Sequence, residues 1–306
     1  MKTVIALGGN AILREGDRPT YANQYARIRA TAAQIAKIAK RGGKLLITHG
    51  NGPQVGDELL RNWYAKQKVP PFPLYLLNAE TQATVGSMIV TALSNEFIRQ
   101  RIRRQAVAVI THVEVDANDP AFKRPDKPIG PFYTHAELAK ELKHEKFSYV
   151  PEKGLYRRVE PSPSPKAVLE IDAIREVFES GAVVVAGGGG GVPVIRRHGA
   201  YVGTSAVLDK DRTTQLLANK LGADTMLMLT NVDYLYKNYH DRGSAIRSIS
   251  AERLKRMLPS LEAGTIRPKA SACVSFIENG GQRAYIGNLS GLDAMLDGTA
   301  GTTITK

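Results

Sequence analysis

Two short stretches constrain this chain more than any other feature. The apolar run Thr3-Val4-Ile5-Ala6 empties into Leu7-Gly8-Gly9-Asn10, and Lys44-Leu45-Leu46-Ile47-Thr48 empties into His49-Gly50-Asn51-Gly52-Pro53-Gln54. Each run has the length and continuity of a strand buried on both faces, and each is followed by residues of helical period. A strand that gives way to Gly and Asn and then to a helix is an anion-binding arrangement. Glycine lets the backbone approach a ligand closely and take positive φ, and the unpaired N–H groups of the helix start point at negative charge.

The same rhythm recurs along the chain. Tyr25, Ile28, Ala32, Ile35 and Ala39 mark one face of a helix stopped by Gly42-Gly43. A helix is expected from about 55 to 66, then the turn Pro70-Pro71-Phe72-Pro73. A long helix should follow from about 79 to 104, broken near Gly86, and then a buried strand Ala106-Val107-Ala108-Val109-Ile110. Residues 112 to about 165 depart from the pattern. Pro120, Pro125, Pro128 and Pro131 exclude a regular helix or central strand. Thr134 with Glu137 reads as a capping box, and the runs 147–150 and 155–159 around Pro151-Glu152-Lys153-Gly154 read as a hairpin. This stretch forms a small subdomain or lid. Alternation then resumes: a helix from Ile171 to Ser180, a strand 182–186 running into Gly187 to Gly191, a helix 212–221, and a strand 225–229 ending in Thr230-Asn231-Val232-Asp233. A helix near 251–258, one opened by Pro268, and a strand 283–287 complete the series. The expected fold is α/β: a doubly wound, mostly parallel open sheet flanked by helices, with a protruding subdomain.

In such sheets ligands bind at the carboxyl ends of the strands. Four Gly/Asn turns on one edge exceed what a single phosphate needs and suggest two anionic ligands meeting. No stretch fits the P-loop, and Gly50-Asn51-Gly52 reaches Gly56 with one residue too many for the dinucleotide fingerprint. Phosphoryl transfer needs positioned cations and backbone donors. Lys127 in the Pro-rich excursion, Arg158 at its exit, Lys210 between Asp209 and Asp211, and Lys269 after Pro268 are the candidates. Acids flanking a lysine can orient its ammonium or hold Mg²⁺.

The net charge of +13 raises a nucleic-acid reading, with its densest run at Arg99-Gln100-Arg101-Ile102-Arg103-Arg104. That run should end a helix, where cations favour the dipole, and it lacks interleaved aromatics; no nucleic-acid partner is expected. No apolar run is long enough to span a membrane. An apolar strand from Thr3 leaves no room for a signal peptide, and Cys273 alone allows no intrachain disulfide, so a cytoplasmic location is expected.

The chain resembles the amino acid kinase superfamily and, within it, the carbamate kinases. The resemblance runs nearly end to end. It is carried by Ala6-Leu7-Gly8-Gly9-Asn10-Ala11, Thr48-His49-Gly50-Asn51-Gly52-Pro53-Gln54-Val55-Gly56 and Ala79-Glu80-Thr81-Gln82. Further matches are Lys127-Pro128-Ile129-Gly130-Pro131-Phe132-Tyr133, Arg157-Arg158-Val159 through Pro161-Ser162-Pro163, Gly187-Gly188-Gly189-Gly190 with Val192-Pro193-Val194, and Ala206-Val207-Leu208-Asp209-Lys210-Asp211. The resemblance implies ATP + carbamate ⇌ ADP + carbamoyl phosphate with Mg²⁺, in a cytoplasmic homodimer tied to arginine metabolism, and often running toward ATP. It implies one domain over 1–306, with an acceptor lobe 1–185, a lid 113–160 and a nucleotide lobe 186–306. Gly8, Gly9, Asn10, Gly50, Asn51 and Gly52 would hold the carbamoyl phosphate end, with Arg158 near it. Lys127 would swing in from the lid, Lys210 and Lys269 would neutralise the phosphoryl group, and Asp209 would position the lysines. Gly188, Gly189, Asp211, Thr230, Asn231, Val232, Tyr236 and Lys269 would frame the nucleotide. No metal ligand is assigned.

Two departures stand out. Gly264-Thr265-Ile266-Arg267 replaces the family's usual Gly-Ser-Met-Gly before Pro268-Lys269, which puts an extra cation where the nucleotide phosphates are expected. Gln82-Ala83-Thr84-Val85-Gly86-Ser87 lacks the usual second glycine and following aromatic of the dimer-type helix. The rivals are therefore a kinase for another small carboxylate or amino acid on the same scaffold, and a non-catalytic nucleotide-binding protein, the latter motivated by Arg267.

Overall fold

The computed structural model describes residues 1–13, 16–141, 147–152, 154–238, 241–262 and 264–306. Its frame is an eight-stranded sheet in the order Ser248–Ser250, Thr302–Thr305, Arg283–Asn288, Thr225–Thr230, Lys2–Leu7, Lys44–His49, Val183–Val185, Ala106–Ala108. Every neighbouring pair from Arg283–Asn288 to Ala106–Ala108 is parallel; Thr302–Thr305 runs antiparallel to Arg283–Asn288. Lys2–Leu7 lies in the middle, with the next strand in sequence on one side and Thr225–Thr230 on the other. The winding reverses there, which opens a crevice at the carboxyl ends.

Alternate residues of the central strands go to opposite cores. Ile5, Leu7, Leu45 and Ile47 pack with Ile28 and Ile35 of the helix Tyr21–Lys40 and with Val85 and Ile89 of the helix Leu74–Gln100. Val4, Ala6 and Leu46 pack with Phe178, Leu217 and Phe276 from the helices Ile171–Glu179, Lys210–Lys220 and Ile266–Glu278. Burial on both faces is why these strands read as continuous apolar runs.

The helix Leu74–Gln100 begins five residues before the expected start and is unbroken at Gly86. Glycine there serves packing, since a Cβ would come within 2.9 Å of the Ala108 Cβ. Arg101 ends the helix in the left-handed region (φ 54°), so most of the basic run lies beyond it. Arg104 donates to the carbonyls of Gly181 and Ala39 and ties the sheet edge to its neighbours. The expected buried strand 106–110 is a half-buried edge strand over Ala106–Ala108, and Ile110 is exposed.

Two small sheets take up the excursion, the first together with strands from beyond it. One pairs Ala200–Gly203, Val192–Arg197, His112–Val115 and Pro165–Val168; the other pairs Lys127–Tyr133, Leu155–Glu160 and Ser148–Glu152. The latter lies within the stretch expected as a lid, and its antiparallel hairpin matches the expected one; Lys153 in the turn lies outside the described residues. Pro128 and Pro131 occupy the edge strand, around a bulge between Ile129 and Phe132 where Gly130 has φ +68°. An edge and a bulge are where a strand tolerates proline. The capping box is present: Glu137 N–H donates to Thr134 Oγ1 (3.2 Å), and Glu137 Oε2 accepts from Thr134 N–H (2.6 Å). The lid rests on the helix Gly52–Ala65, where a Cβ on Gly56 would lie 3.0 Å from Gly130 Cα. The hairpin 192–203, the edge strand Ser248–Ser250 and its neighbour Thr302–Thr305 were not foreseen from the sequence. Among the described residues no helix is long and apolar enough to cross a membrane.

Candidate active site

The turns after Lys2–Leu7 and Thr225–Thr230 meet at the crevice. A Cβ on Gly8 would lie 2.7 Å from the Leu229 carbonyl, so only glycine lets the first turn close against the neighbouring strand end. Asn10 follows in the 3₁₀ turn Gly9–Ala11, closed by Ile12 and Leu13 N–H on the Gly9 carbonyl. The cleft beyond, of about 620 Å³, is lined by Gly8, Gly9, Thr230, Asn231, Lys269 and Asn288 among others. Asn288 was missed, although it ends a strand in the same Gly-Asn pattern. Its Oδ1 accepts from Ser290 and Gly291 N–H and so caps the turn that closes the cleft wall.

The second turn lies beside the cations. A Cβ on Gly50 would lie 3.7 Å from Lys210 Cε, so the lysine stem passes alongside that turn. The helix carrying Lys210 begins there because Asp209 caps it, accepting from Asp211 N–H (2.9 Å) and Arg212 N–H (3.3 Å). The helix therefore starts two residues before its expected beginning. Lys210 Nζ lies 2.5 Å from Asp211 Oδ1, and Lys269 Nζ lies 3.0 Å from Asp211 Oδ2. Lys127 Nζ instead pairs with Asp209 Oδ2 at 3.0 Å. This corrects the expectation that Asp209 orients the lysines as a group. Asp211, expected at the nucleotide, holds Lys210 and Lys269, and Asp209 holds the lid lysine.

The Lys-Asp-Lys group is buried, with side-chain exposures of 14%, 6% and 13% for Lys210, Asp211 and Lys269. Burial pushes the Asp211 carboxyl up, but the ammoniums of Lys210 and Lys269 outweigh it and hold the group at about 2. Burial draws the Lys210 ammonium below its ordinary range; Asp211 opposes the shift and Lys269 adds to it. His49 is buried as well, and desolvation lowers it to about 4. Its ring is neutral at neutral pH, so Nδ1, 2.9 Å from the Gly50 carbonyl, carries the proton and donates it to that oxygen.

Other expected site residues lie elsewhere. Asn51 is buried and donates to Asn78 Oδ1 (2.5 Å) and Thr81 Oγ1 (2.8 Å), while Asn78 donates to the Gly191 carbonyl (2.5 Å). A Cβ on Gly188 would lie 2.5 Å from His49 Nε2, and one on Gly189 2.2 Å from Asn51 Nδ2. These glycines pack beneath the second turn and do not line the cleft. Asn78 and Thr81 are supports that sequence reasoning missed: Asn78 lies before the expected helix start, and Thr81, inside the expected helix, carries no local signal of this role. Val232 is buried, the Tyr236 hydroxyl accepts from Arg242 at 3.2 Å, and neither lines the cleft. Arg158 is held inside the lid by Glu160 and by the Phe147 ring, whose centroid is 3.4 Å away. Arg267 does not face the cleft: it donates to the carbonyls of Leu261 (2.7 Å) and Pro259 (2.9 Å) and closes the preceding loop. The observation that motivated a non-catalytic reading is thereby removed.

Comparisons with known proteins agree with this fold. The model of the amino acid kinase family matches residues 1–288. A carbamate kinase from Pyrococcus horikoshii is 41% identical, covering 99% of each chain. Carbamate kinase 1 from Staphylococcus epidermidis is 39% identical, covering 100% of this chain and 99% of its own. The structure of carbamate kinase from Giardia lamblia bound to AMP-PNP superposes with a TM-score of 0.93 at 34% identity, covering 100% of this chain and 98% of that one. Similarity of sequence and fold over the full length means that the chain belongs to the amino acid kinase family, on its carbamate kinase branch.

Proposed function

We infer that the protein catalyses reversible phosphoryl transfer between ATP and carbamate, giving ADP and carbamoyl phosphate. The observation that carries this reading is the buried Lys210–Asp211–Lys269 group at the switch point of the sheet. Two ammoniums pinned to one carboxylate are preorganised to meet charge that builds on a transferring phosphoryl group, with no reorganisation at the moment of reaction. Carbamate oxygen is already an anion, so no general base is needed. In the forward direction it attacks the γ-phosphorus of ATP, and the bond to the departing ADP oxygen breaks.

In this reading the Gly8-Gly9-Asn10 turn and the Gly50-Asn51-Gly52 turn receive the carbamoyl phosphate end, and Thr230 and Asn231 face the nucleotide. Asn51 acts by fixing the backbone of its turn, since its side-chain amide is occupied. Lys127 supplies a third cation from the lid 113–160, between an acceptor lobe 1–185 and a nucleotide lobe 186–306. Gly188 and Gly189 support the acceptor turn rather than the nucleotide. The described residues contain no group of three or more metal-ligating side chains, and both Asp211 oxygens already meet ammoniums. They do not fit a protein-held Mg²⁺ site; the ion would arrive on nucleotide phosphates, and no step is routed through it. The reading includes a cytoplasmic enzyme of arginine metabolism acting as a homodimer. What supports a homodimer is the edge strand Ala106–Ala108, whose free side shares a groove with the exposed Ile98.

The test is ATP formation from ADP, Mg²⁺ and carbamoyl phosphate, with glutamate and aspartate as competing acceptors in the forward direction. ATP from the wild type, and phosphorylation of carbamate in preference to the amino acids, is the expected result. A folded, nucleotide-binding protein that makes no ATP, or that prefers an amino acid, would overturn it.

A further inference from the structure

Lys127 opens the lid's edge strand and stands opposite Glu160 in the pairing with Leu155–Glu160. That nearer carboxylate is taken: Arg158 Nε lies 2.6 Å from Glu160 Oε1, and Glu160 is 6% exposed. Lys127 instead reaches out of the lid to the body, to Asp209 Oδ2 at 3.0 Å. The other oxygen of that carboxylate, Oδ1, caps the helix that presents Lys210 and Asp211. One carboxylate thus bonds simultaneously to the lid and to the first turn of the helix carrying the buried cations. Alongside it, the lid and body meet through the Gly56–Gly130 backbone contact, which carries no charge.

We propose that Asp209 is the positioning residue of the lid, holding the Lys127 ammonium at the reaction centre so that closure and the helix start share one carboxylate. The role of Lys127 in turnover rests on the carbamate kinase reading; the attachment of lid to body does not. With 38% exposure at Lys127 and 15% at Asp209, the pair is open enough to break and re-form, unlike the buried group behind it. An incoming phosphoryl oxygen can share Lys127 with Asp209 without stranding a buried charge.

The test separates the two functions of Asp209. Asn caps a helix about as well as Asp, so Asp209→Asn keeps the helix start and removes the charge, whereas Asp209→Ala removes both. Hydrogen exchange without substrates should be faster over Lys127–Tyr133 in Asp209→Asn and in Lys127→Met, while Lys210–Lys220 changes only in Asp209→Ala. Unchanged lid exchange in Asp209→Asn overturns the proposal. In the ATP-forming assay Asp209→Asn should lower kcat/KM roughly tenfold, chiefly through KM, the scale of one charge-assisted contact. On a Lys127→Met background it should have no further effect beyond about twofold, because residues acting through one another are not additive. A full multiplicative loss in the double variant would show that Asp209 acts on Lys210 or on the nucleotide instead, and would overturn the proposal. The exchange experiment needs no turnover, so a wild type inactive on carbamoyl phosphate would refute the functional reading without deciding this one.

Discussion

The two ion clusters of the site are built from the same residue types and behave differently. Lys210, Asp211 and Lys269 sit in the body, buried and anchored on two helices that pack against the central sheet. Lys127 and Asp209 join lid to body in partial contact with water. Removing a partner from the first leaves a charge stranded in a poorly polarisable interior; removing one from the second lets water replace it. In the proposed reaction, the contrast would give one centre fixed cations for a transferring phosphoryl group and a replaceable one from the lid.

The sharpest way to break that contrast is Asp211→Ala. With Lys210 left buried and unpaired, we expect a stability loss of about 3–5 kcal/mol in denaturant titration, together with loss of measurable ATP formation. A folded variant of normal stability would mean the buried group is not what distinguishes the body. Lys127→Ala comes next: turnover should fall about 10²–10³-fold, the scale of a lost transition-state contact, with an unchanged midpoint in thermal unfolding. A matching drop in stability would show that the lid pair is structural after all.

A third test concerns His49, at the foot of the body cluster. Its folded value of about 4 lies below the ordinary 6.5. Between those values the unfolded chain binds more protons, so stability should fall as pH drops from about 6.5 to 4, by about 3 kcal/mol in all at 1.36 kcal/mol per unit. The Asp211 carboxyl, also depressed, should contribute its own loss only as pH falls from about 4 toward 2. His49→Gln should flatten the upper limb of a pH-dependent unfolding curve and leave the lower one; an unchanged upper limb refutes the assignment. The smallest effect is expected at Arg267→Ala. Turnover should stay within about threefold, and stability should fall by about 1 kcal/mol for the lost hydrogen bonds to loop carbonyls. A large kinetic change would place the guanidinium at the nucleotide rather than in the loop.

Much of this molecule was legible before any coordinates. The strand-to-Gly/Asn turns at Gly8 and Gly50, the hairpin and capping box of the excursion, and the alternation of buried strands with helices all follow from local periods and turn residues, although neither Gly8 (φ −70°) nor Gly50 takes the left-handed conformation and Gly8 is needed for close approach instead. The start of the helix Lys210–Lys220 was misjudged for an instructive reason. Asp209-Lys210-Asp211 was read as a charge cluster, which it is, but the first aspartate is also an N-cap, and capping is decided by backbone conformation as much as by residue type. The strand Ala106–Ala108 was expected to be buried because its residues are apolar; only sheet order shows that it lies at an edge.

By itself, then, the sequence determined the doubly wound class and the Gly/Asn turns that end its strands. Which carboxylate holds which lysine was decided by tertiary structure. Asp209 is extended at the cap and faces the lid, whereas Asp211, two residues on and already helical, faces the core. Asp211 meets Lys210 as a neighbour in sequence, but the pairs with Lys127 and Lys269 span 82 and 58 residues of chain, so no local rule relates those. The same holds for Arg267, whose guanidinium turns toward the Pro259 and Leu261 carbonyls, and for Gly188 and Gly189, which lie beneath Asn51. Side-chain direction and long-range packing select among partners of equal chemistry, and those are set only when the whole chain has folded.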